Sequence, residues 1–145
     1  MKKIKEIYLK YKEVINYLIV GALTTAISLI AYYLCVFTIL DPNNAVQLQI
    51  ANVISWIVGV IFAYITNRKF VFESNNKNLV KEATSFVGSR LVTLLLDMIA
   101  MFFMVTLLGI NDKISKLVVQ LIVIILNYVF SKILVFKKTE REAKK

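Results

Sequence analysis

Side chains that could bind an anion lie within and at the ends of four apolar stretches of the sequence. They are the cations and amides Asn67, Arg68, Arg90, Lys116, Asn127 and Lys132. Arg presents a planar fork of N–H donors and Lys presents a point charge, so both suit a phosphate group. An ionisable residue inside an apolar span is costly without a partner, and by default it indicates a functional site. The pattern therefore predicts a path for a phosphate-bearing ligand.

Helical spacing puts several polar groups on shared faces. Thr93 and Asp97 follow Arg90 by three and seven residues, which nearly complete whole turns, and Phe86 precedes Arg90 by four. A second face, about 60° wide at 3.6 residues per turn, holds Lys116, Gln120, Asn127 and Ser131. We expect these faces to meet inside a helical bundle.

The segment around Asn67 has a counterpart near the end of the chain. Small residues lead to it at every fourth position, a spacing that lets a neighbouring helix approach closely: Ala51, Ser55, Gly59 and Ala63. The residues Tyr64, Arg68, Val71 and Phe72 are echoed 64 positions later by Tyr128, Lys132, Val135 and Phe136. The repeat predicts two related helix pairs.

The composition is that of a membrane protein. The 145 residues are 59% hydrophobic, and the charges flank four apolar runs. A bilayer core takes about 20 apolar residues, so we predict an all-α protein with four transmembrane helices, at about 14–40, 45–66, 83–110 and 114–136. Residues 1–13 combine an apolar stripe with a Lys-rich face, which indicates an amphipathic helix on the membrane lipids, and 137–145 is a charged tail. With no His and one Cys, we expect no metal, disulfide or cofactor.

The placement of Lys and Arg predicts the orientation in the membrane. Fifteen of them lie in the N-terminal segment, the 68–81 connection and the C-terminal end, whereas Lys113 and Lys116 lie on the other side. Cytoplasmic segments carry an excess of Lys and Arg, so we expect both termini in the cytoplasm. The net charge of +9 follows this flanking pattern and does not indicate nucleic acid binding. The composition favours a bacterial cell membrane.

Two halves that each close on a basic residue followed by Val-Phe resemble the GtrA-like family of small four-span membrane proteins, from about Tyr17 to Phe136. The matching positions are Ala63, Asn67, Arg68, Val71, Phe72, Phe86, Arg90, Lys116, Asn127, Lys132, Val135 and Phe136. The second half departs from a strict repeat, because Ser131 and Asn127 stand where Asn67 and Ala63 stand in the first.

The resemblance implies that the protein flips a polyprenyl-phosphate-linked monosaccharide across the membrane, for teichoic acid or another cell-surface polysaccharide. In this hypothesis Arg90, with Asn67 and Arg68, receives the phosphate at the cytoplasmic side. Asn127 and Gln120 offer intermediate hydrogen bonds, and Lys116 attracts the phosphate at the outer side.

Other interpretations remain open at this point. The protein could be a non-transporting membrane partner of a glycosyltransferase, or a small exporter of drugs or cations in which Asp97 couples protons. Lys69 and Lys132 could simply anchor helix ends, Arg90 and Asp97 could form a structural ion pair, and Asn127 could link two helices. A homo-oligomer is compatible with four short spans. An enzyme is not predicted, for lack of a nucleophile or an acid–base pair.

Overall fold

The structure, a computed structural model, describes residues 2–41 and 43–136, without the side chains of Asp112 and Lys116. The predicted charged tail, 137–145, and Pro42, between the first two spans, lie outside the described residues. Those ranges contain helices and no strand, in the order α1 (Lys2–Thr38), α2 (Ala45–Thr66), α3 (Leu79–Met101) and α4 (Asp112–Phe130). Three π-helical segments continue the last three helices: Asn67–Val71, Phe102–Leu107 and Ser131–Phe136.

Four helices among the described residues are long and apolar enough to cross a membrane. The prediction of an all-α membrane protein with four spans is therefore confirmed. Helix α1 consists of two helical stretches separated by a kink at Tyr11, where the backbone leaves helical geometry (φ −112°, ψ 16°). The break lies near the end of the segment predicted to rest on the membrane surface, and that placement stays a prediction.

Asparagine side chains start three of the four helices. The Asn44 side chain accepts hydrogen bonds from the backbone N–H groups of Val46 and Gln47, and Asn111 caps α4 in the same way. Asn78 accepts from Lys81 N at 3.1 Å. Capping satisfies donors that the first helical turn leaves unpaired. Because Asn78 caps α3, this helix begins four residues before the expected start of the third span.

The chain divides into two compact units, with the boundary between Glu73 and Ser74. In the first unit, α2 packs its small residues against α1: Ala51, Gly59 and Ala63 are buried. Gly59 lies so close to Ser28 of α1 that a β-carbon added there would overlap the serine hydroxyl. The stripe of small residues thus sets the distance between the two helices.

In the second unit, α3 packs against α4 and the π-helical segment that follows it. The core is formed by Phe86, Val119, Val135 and Phe136, all almost inaccessible to solvent. The ring centroids of Phe86 and Phe136 are 6.2 Å apart. The repeated Val-Phe pair of the second half therefore packs the end of the fourth span against the first half of α3.

Candidate functional site

Arg90 lies in the second unit, eleven residues into α3, or about 16 Å along the helix at 1.5 Å per residue. Its guanidinium carbon is 4.7 Å from the centroid of the Phe86 ring. Phe86 is fully buried, while Arg90 is half-buried. A guanidinium at this distance from an aromatic face is held by a cation–π interaction. The spacing of four residues that predicted a shared face thus gives a positioned cation inside the span.

A hydrogen bond between helices lies one turn further along α3. Thr93 Oγ1 donates to Asn127 Oδ1 of α4 at 2.7 Å and also lies 3.0 Å from the carbonyl oxygen of Arg90. Only 2% of Thr93 is exposed. Because the bond uses the oxygen of the Asn127 amide, it leaves the N–H donors of that side chain for other acceptors. Thr93 thus contacts Asn127 through its side chain and Arg90 through the backbone carbonyl oxygen, and these three residues are called the polar cluster below.

Asn67 begins the π-helical segment at the end of the second span. Its side chain is 2% exposed, and its Nδ2 donates to the carbonyl oxygen of Ala63 at 2.7 Å. Its Oδ1 has no hydrogen-bond partner among the described residues. Arg68 is half-buried, Val71 is buried and Phe72 is half-buried. A buried amide oxygen without a donor is a costly arrangement in a protein interior, and it makes Asn67 a candidate for binding a donor group.

Helix α1 holds the other side of this π-helical segment. Asn16 Nδ2 donates to the carbonyl oxygen of Phe70 at 3.1 Å, and Lys12 Nζ lies 2.8 Å from Glu73 Oε1. The hydrogen bond and the charge of Lys12 lower the pKa of Glu73 from its ordinary value. Glu73 has a φ of 47°, the left-handed conformation that few residues other than glycine adopt. The end of the second span is thus tied to the N-terminal part of α1 by two polar contacts.

Three of the remaining predicted residues differ in how far they are exposed to solvent. Lys132 is exposed, and its Nζ lies 3.3 Å from the hydroxyl of Tyr128, the residue one turn earlier. Asp97 is half-buried and Gln120 is exposed. The side chain of Lys116 lies outside the description, so its predicted role at the outer face stays a prediction.

Glu82 is a buried carboxylate that the sequence analysis did not select. It is fully buried in the first turn of α3, where it accepts a hydrogen bond from Ser74 Oγ at 2.7 Å. The helix N-terminus favours a negative charge at this position. The spacing could have indicated this residue, because Glu82, Phe86 and Arg90 follow one another at intervals of four and so lie on one face of a helix. Placing the start of the third span at 83 excluded Glu82 from the helix and hid that signal.

The described residues contain no group of three His, Cys, Asp or Glu side chains that could hold a metal ion. Their polar chemistry is that of cations, amides and hydroxyls next to aromatic rings. Such a set can bind and orient a phosphate or a hydroxyl-bearing group.

Comparison with known proteins gives consistent matches over most of the chain. The "Cell wall teichoic acid glycosylation protein GtcA" of Listeria monocytogenes is 40% identical over 127 residues, which cover 86% of this chain and 84% of that protein. Its namesake in Listeria innocua is 41% identical over the same length and shares. The "Uncharacterized membrane protein YwcD" of Bacillus subtilis is 36% identical over 129 residues, 87% of this chain and 98% of that protein.

No solved structure matches the chain. The family model described as "GtrA/DPMS, transmembrane domain" matches residues 16–136. This range includes the Arg90–Phe86 pair, the Thr93–Asn127 hydrogen bond and both Val-Phe repeats. The resemblance drawn from the sequence is confirmed, and the chain belongs to the GtrA/DPMS transmembrane-domain family.

Proposed function

We propose that this protein moves a polyprenyl-phosphate-linked monosaccharide across the bacterial cell membrane, to supply glycosylation of teichoic acid or a related surface polysaccharide. The names of the Listeria relatives support the process, since they refer to teichoic acid glycosylation. The observation that carries the proposal is the position of Arg90. It is a cation inside an apolar helix, stacked on buried Phe86 and one turn from the Thr93–Asn127 hydrogen bond.

The two parts of a lipid-linked sugar differ in how easily they cross the membrane. Its prenyl chain is soluble in hydrocarbon at every stage, whereas its phosphate needs compensating charge and donors at every depth. Arg90 supplies the charge and a fork of donors, and the Asn127 amide supplies neutral donors beside it. In this mechanism only the head group follows the polar side chains, and the chain stays in lipid.

Each end of the route has its own cation in this proposal. Near the cytoplasmic boundary of the first unit, Arg68 meets the phosphate and Asn67 offers its second Nδ2 proton. Lys132 has the corresponding place in the second unit. Lys116 attracts it at the outer boundary, and Gln120 offers an intermediate hydrogen bond. These roles, and the cytoplasmic placement of both termini, belong to the proposal.

The test uses purified protein in liposomes that carry a synthetic polyprenyl-phosphate monosaccharide in one leaflet. The measured quantity is its rate of appearance in the other leaflet. Arg90→Ala should lower the rate by about tenfold or more, because a hydrogen bond to a charged group contributes about 1.5–3 kcal/mol. Arg90→Lys should restore part of the rate, since Lys keeps the charge and loses the planar fork.

Lys69→Ala is the matched control. Lys69 also stacks on a phenylalanine, with its Nζ 5.3 Å from the centroid of Phe70, but it is exposed and outside the polar cluster. We expect this variant to keep the wild-type rate. A folded Arg90→Ala protein with the wild-type rate would remove Arg90 from the route.

A second function is favoured by the charged end of α1. Lys2, Lys3, Lys5 and Lys10 are all exposed, and Lys12 joins this end to Glu73. Such a surface could bind a membrane glycosyltransferase, with the protein acting as a non-transporting partner. Folded wild-type protein that moves no lipid would support this second function, and co-purification with a glycosyltransferase would then be lost on replacing the lysines of α1.

A further inference from the structure

Residues 2–11, the part of α1 that ends at the kink, form an arm that is not needed to cross the membrane. Helix α1 has 37 residues, which measure about 55 Å at 1.5 Å per residue, whereas the hydrocarbon core of a bilayer is about 30 Å thick. Residues 12–38 alone measure about 40 Å by the same rise and are long enough to cross that core. The arm is therefore able to lie at the membrane surface or in water.

One face of the arm is an apolar stripe, formed by Ile4, Ile7, Tyr8 and Tyr11. At 100° per residue, these four side chains fall within about 100° of the helix circumference. All four are exposed, Ile4 by 73% and Ile7 by 58%. A contiguous exposed apolar surface on a helix marks a place that binds lipid or another protein.

Lysines flank the apolar stripe on both sides. Lys5 stands on one side, and Lys3 and Lys10 stand on the other, each about 40–60° from the nearest residue of the stripe. Lys10 Nζ lies 5.4 Å from the centroid of the Tyr11 ring. The carboxylate of the arm, Glu6, is on the opposite face. A lysine at the edge of an apolar face can cover it with its methylene groups and keep its ammonium group among lipid phosphates.

The connection of the arm to a span favours lipid over an acidic protein as its partner. Helix α1 continues beyond the kink into a stretch that is long and apolar enough to cross a membrane. The surface of that leaflet is therefore always within reach of the arm, and a linked partner binds at a high effective concentration. Each lysine near an anionic leaflet strengthens such binding.

The helix just after the kink is fixed within the first unit. Lys12 Nζ lies 2.8 Å from Glu73 Oε1, and Asn16 Nδ2 donates to the carbonyl oxygen of Phe70 at 3.1 Å. Lys12 is thus engaged with a carboxylate of its own unit, which leaves Lys3, Lys5 and Lys10 as the flanking lysines of the arm. The kink at Tyr11 separates this fixed part of α1 from the arm.

We propose that the arm binds the anionic lipids of the leaflet in which α1 begins. The apolar stripe lies in the interface, and the flanking lysines lie at the level of the lipid phosphates. The lipids are recognised by their charge, and the chemical type of the acidic headgroup is immaterial. This binding is independent of the proposed transport, and it gives the lysines of the arm an occupant other than a glycosyltransferase.

The test measures the depth of a spin label by electron paramagnetic resonance, on the full-length protein in lipid nanodiscs. Cys35→Ala removes the single cysteine, and one label is then attached after Ile7→Cys in the apolar stripe or Glu6→Cys on the opposite face. In nanodiscs of phosphatidylcholine and phosphatidylglycerol, we expect the Ile7 label in the interface and the Glu6 label in water. Phosphatidylcholine alone should lower the ratio of docked to undocked arm by about tenfold or more.

Replacing two flanking lysines should have a similar effect without a change of lipid. Lys5→Gln combined with Lys10→Gln removes one lysine from each side of the apolar stripe. In the mixed nanodiscs, this variant should lower the docked-to-undocked ratio by about thirtyfold, as expected for two lysines near an anionic surface. Lys69→Gln combined with Lys77→Gln is the matched control, because it removes the same charge from two exposed lysines outside the arm. We expect this control to dock like the wild type.

Three outcomes would overturn the proposal. An Ile7 label that lies in water in the mixed nanodiscs, in protein with the wild-type helix content by circular dichroism, would leave the lysines of the arm to a glycosyltransferase. An equal depth of the label in both kinds of nanodisc would exclude recognition by charge. An equal loss of docking in the Lys69 and Lys77 control would show that the net charge of the protein matters and the position of the flanking lysines does not.

Salt gives a further check on the same nanodiscs. At high ionic strength the charges of the flanking lysines are screened over a shorter distance. We therefore expect concentrated salt to release the arm from the mixed nanodiscs, and a label whose depth is unchanged by salt would contradict recognition by charge.

Discussion

Replacement of Gly59 by alanine should expose how closely α1 and α2 approach. A β-carbon at this position would overlap Ser28 Oγ, would lie 3.4 Å from Ser28 Cβ and would lie 3.7 Å from Thr24 Cγ2. Only the hydroxyl is in conflict, because the two carbon contacts fall at ordinary distances. The Gly59→Ala cost should therefore depend on one oxygen atom, and Ser28→Ala removes that oxygen.

Gly59→Ala should change the free energy of unfolding in opposite directions in the protein that has Ser28 and in the Ser28→Ala variant. Overpacking a close contact costs about 1–3 kcal/mol, whereas alanine in place of glycine inside a helix gains up to about 1 kcal/mol. With Ser28 present, Gly59→Ala should lower the free energy of unfolding by about 0–3 kcal/mol. With Ser28→Ala, it should raise that free energy by up to about 1 kcal/mol. The expected coupling energy is about 1–3 kcal/mol.

The assay is reversible unfolding of the purified protein in mixed micelles, monitored by circular dichroism, for the four proteins of the cycle. Gly88→Ala is the control, because a β-carbon at Gly88 of α3 would meet nothing within 4 Å. It should be neutral or slightly stabilising. A coupling energy below about 0.5 kcal/mol, the usual error of additivity, would refute the close approach of the two helices at Gly59.

Three further outcomes follow from single contacts. A double-mutant cycle of Thr93→Val and Asn127→Leu should give a coupling energy of about 0.6–1.7 kcal/mol, as for hydrogen bonds between membrane helices, and additive effects on unfolding would contradict it. Lys12→Gln should raise the pKa of Glu73 towards its ordinary value in an NMR titration. The contact with Lys12 stabilises the folded state above the ordinary pKa of Glu73, and this stabilisation is lost as the pH falls through the lowered pKa. An unchanged titration midpoint of Glu73 in the variant would count against the ion pair. Ser131→Ala should leave the thermal stability equal or higher, because Ser131 Oγ is buried without a partner among the described residues, and a clear loss of stability would reveal a bound group.

The sequence was most informative where a pattern repeats along one helix. The spacing of Phe86, Arg90 and Thr93 placed these residues on one face of α3, and the structure stacks the first two. Hydropathy and a run of 22 residues placed the second span at 45–66, the range of α2. Local periodicity is sufficient for such inferences, because the spacing of residues along a regular helix determines which of them share a face.

The sequence was least informative where a contact joins two helices, and where a capping residue starts a helix before the predicted start of the span. The spacing predicted that the two polar faces meet, but it did not select Thr93 and Asn127, 34 residues apart, as the bonded pair. Asn78 extended α3 and so brought Glu82 into the helix, an effect of a single capping side chain.

The repeat in sequence also marks a repeat in backbone geometry. Asn67 and Ser131, 64 positions apart, each begin a π-helical segment, and their backbone N–H groups reach equivalent carbonyl oxygens, four and three residues earlier. Such segments are frequent at functional sites. Val71 and Val135, at equivalent positions of the two π-helical segments, are both buried, the first in the first unit and the second in the second unit.

The two halves differ in the position of the asparagine side chain relative to the π-helical segment. In the first half the amide is at Asn67, inside the π-helical segment, and it bonds within its own helix to the carbonyl oxygen of Ala63. In the second half it stands one turn earlier, at Asn127, and it accepts the proton of Thr93 from α3. A shift of four residues therefore converts a contact within one helix into a link between two. Because that link lies one turn from Arg90, it belongs to the part of the second half to which we assign the phosphate in our proposal.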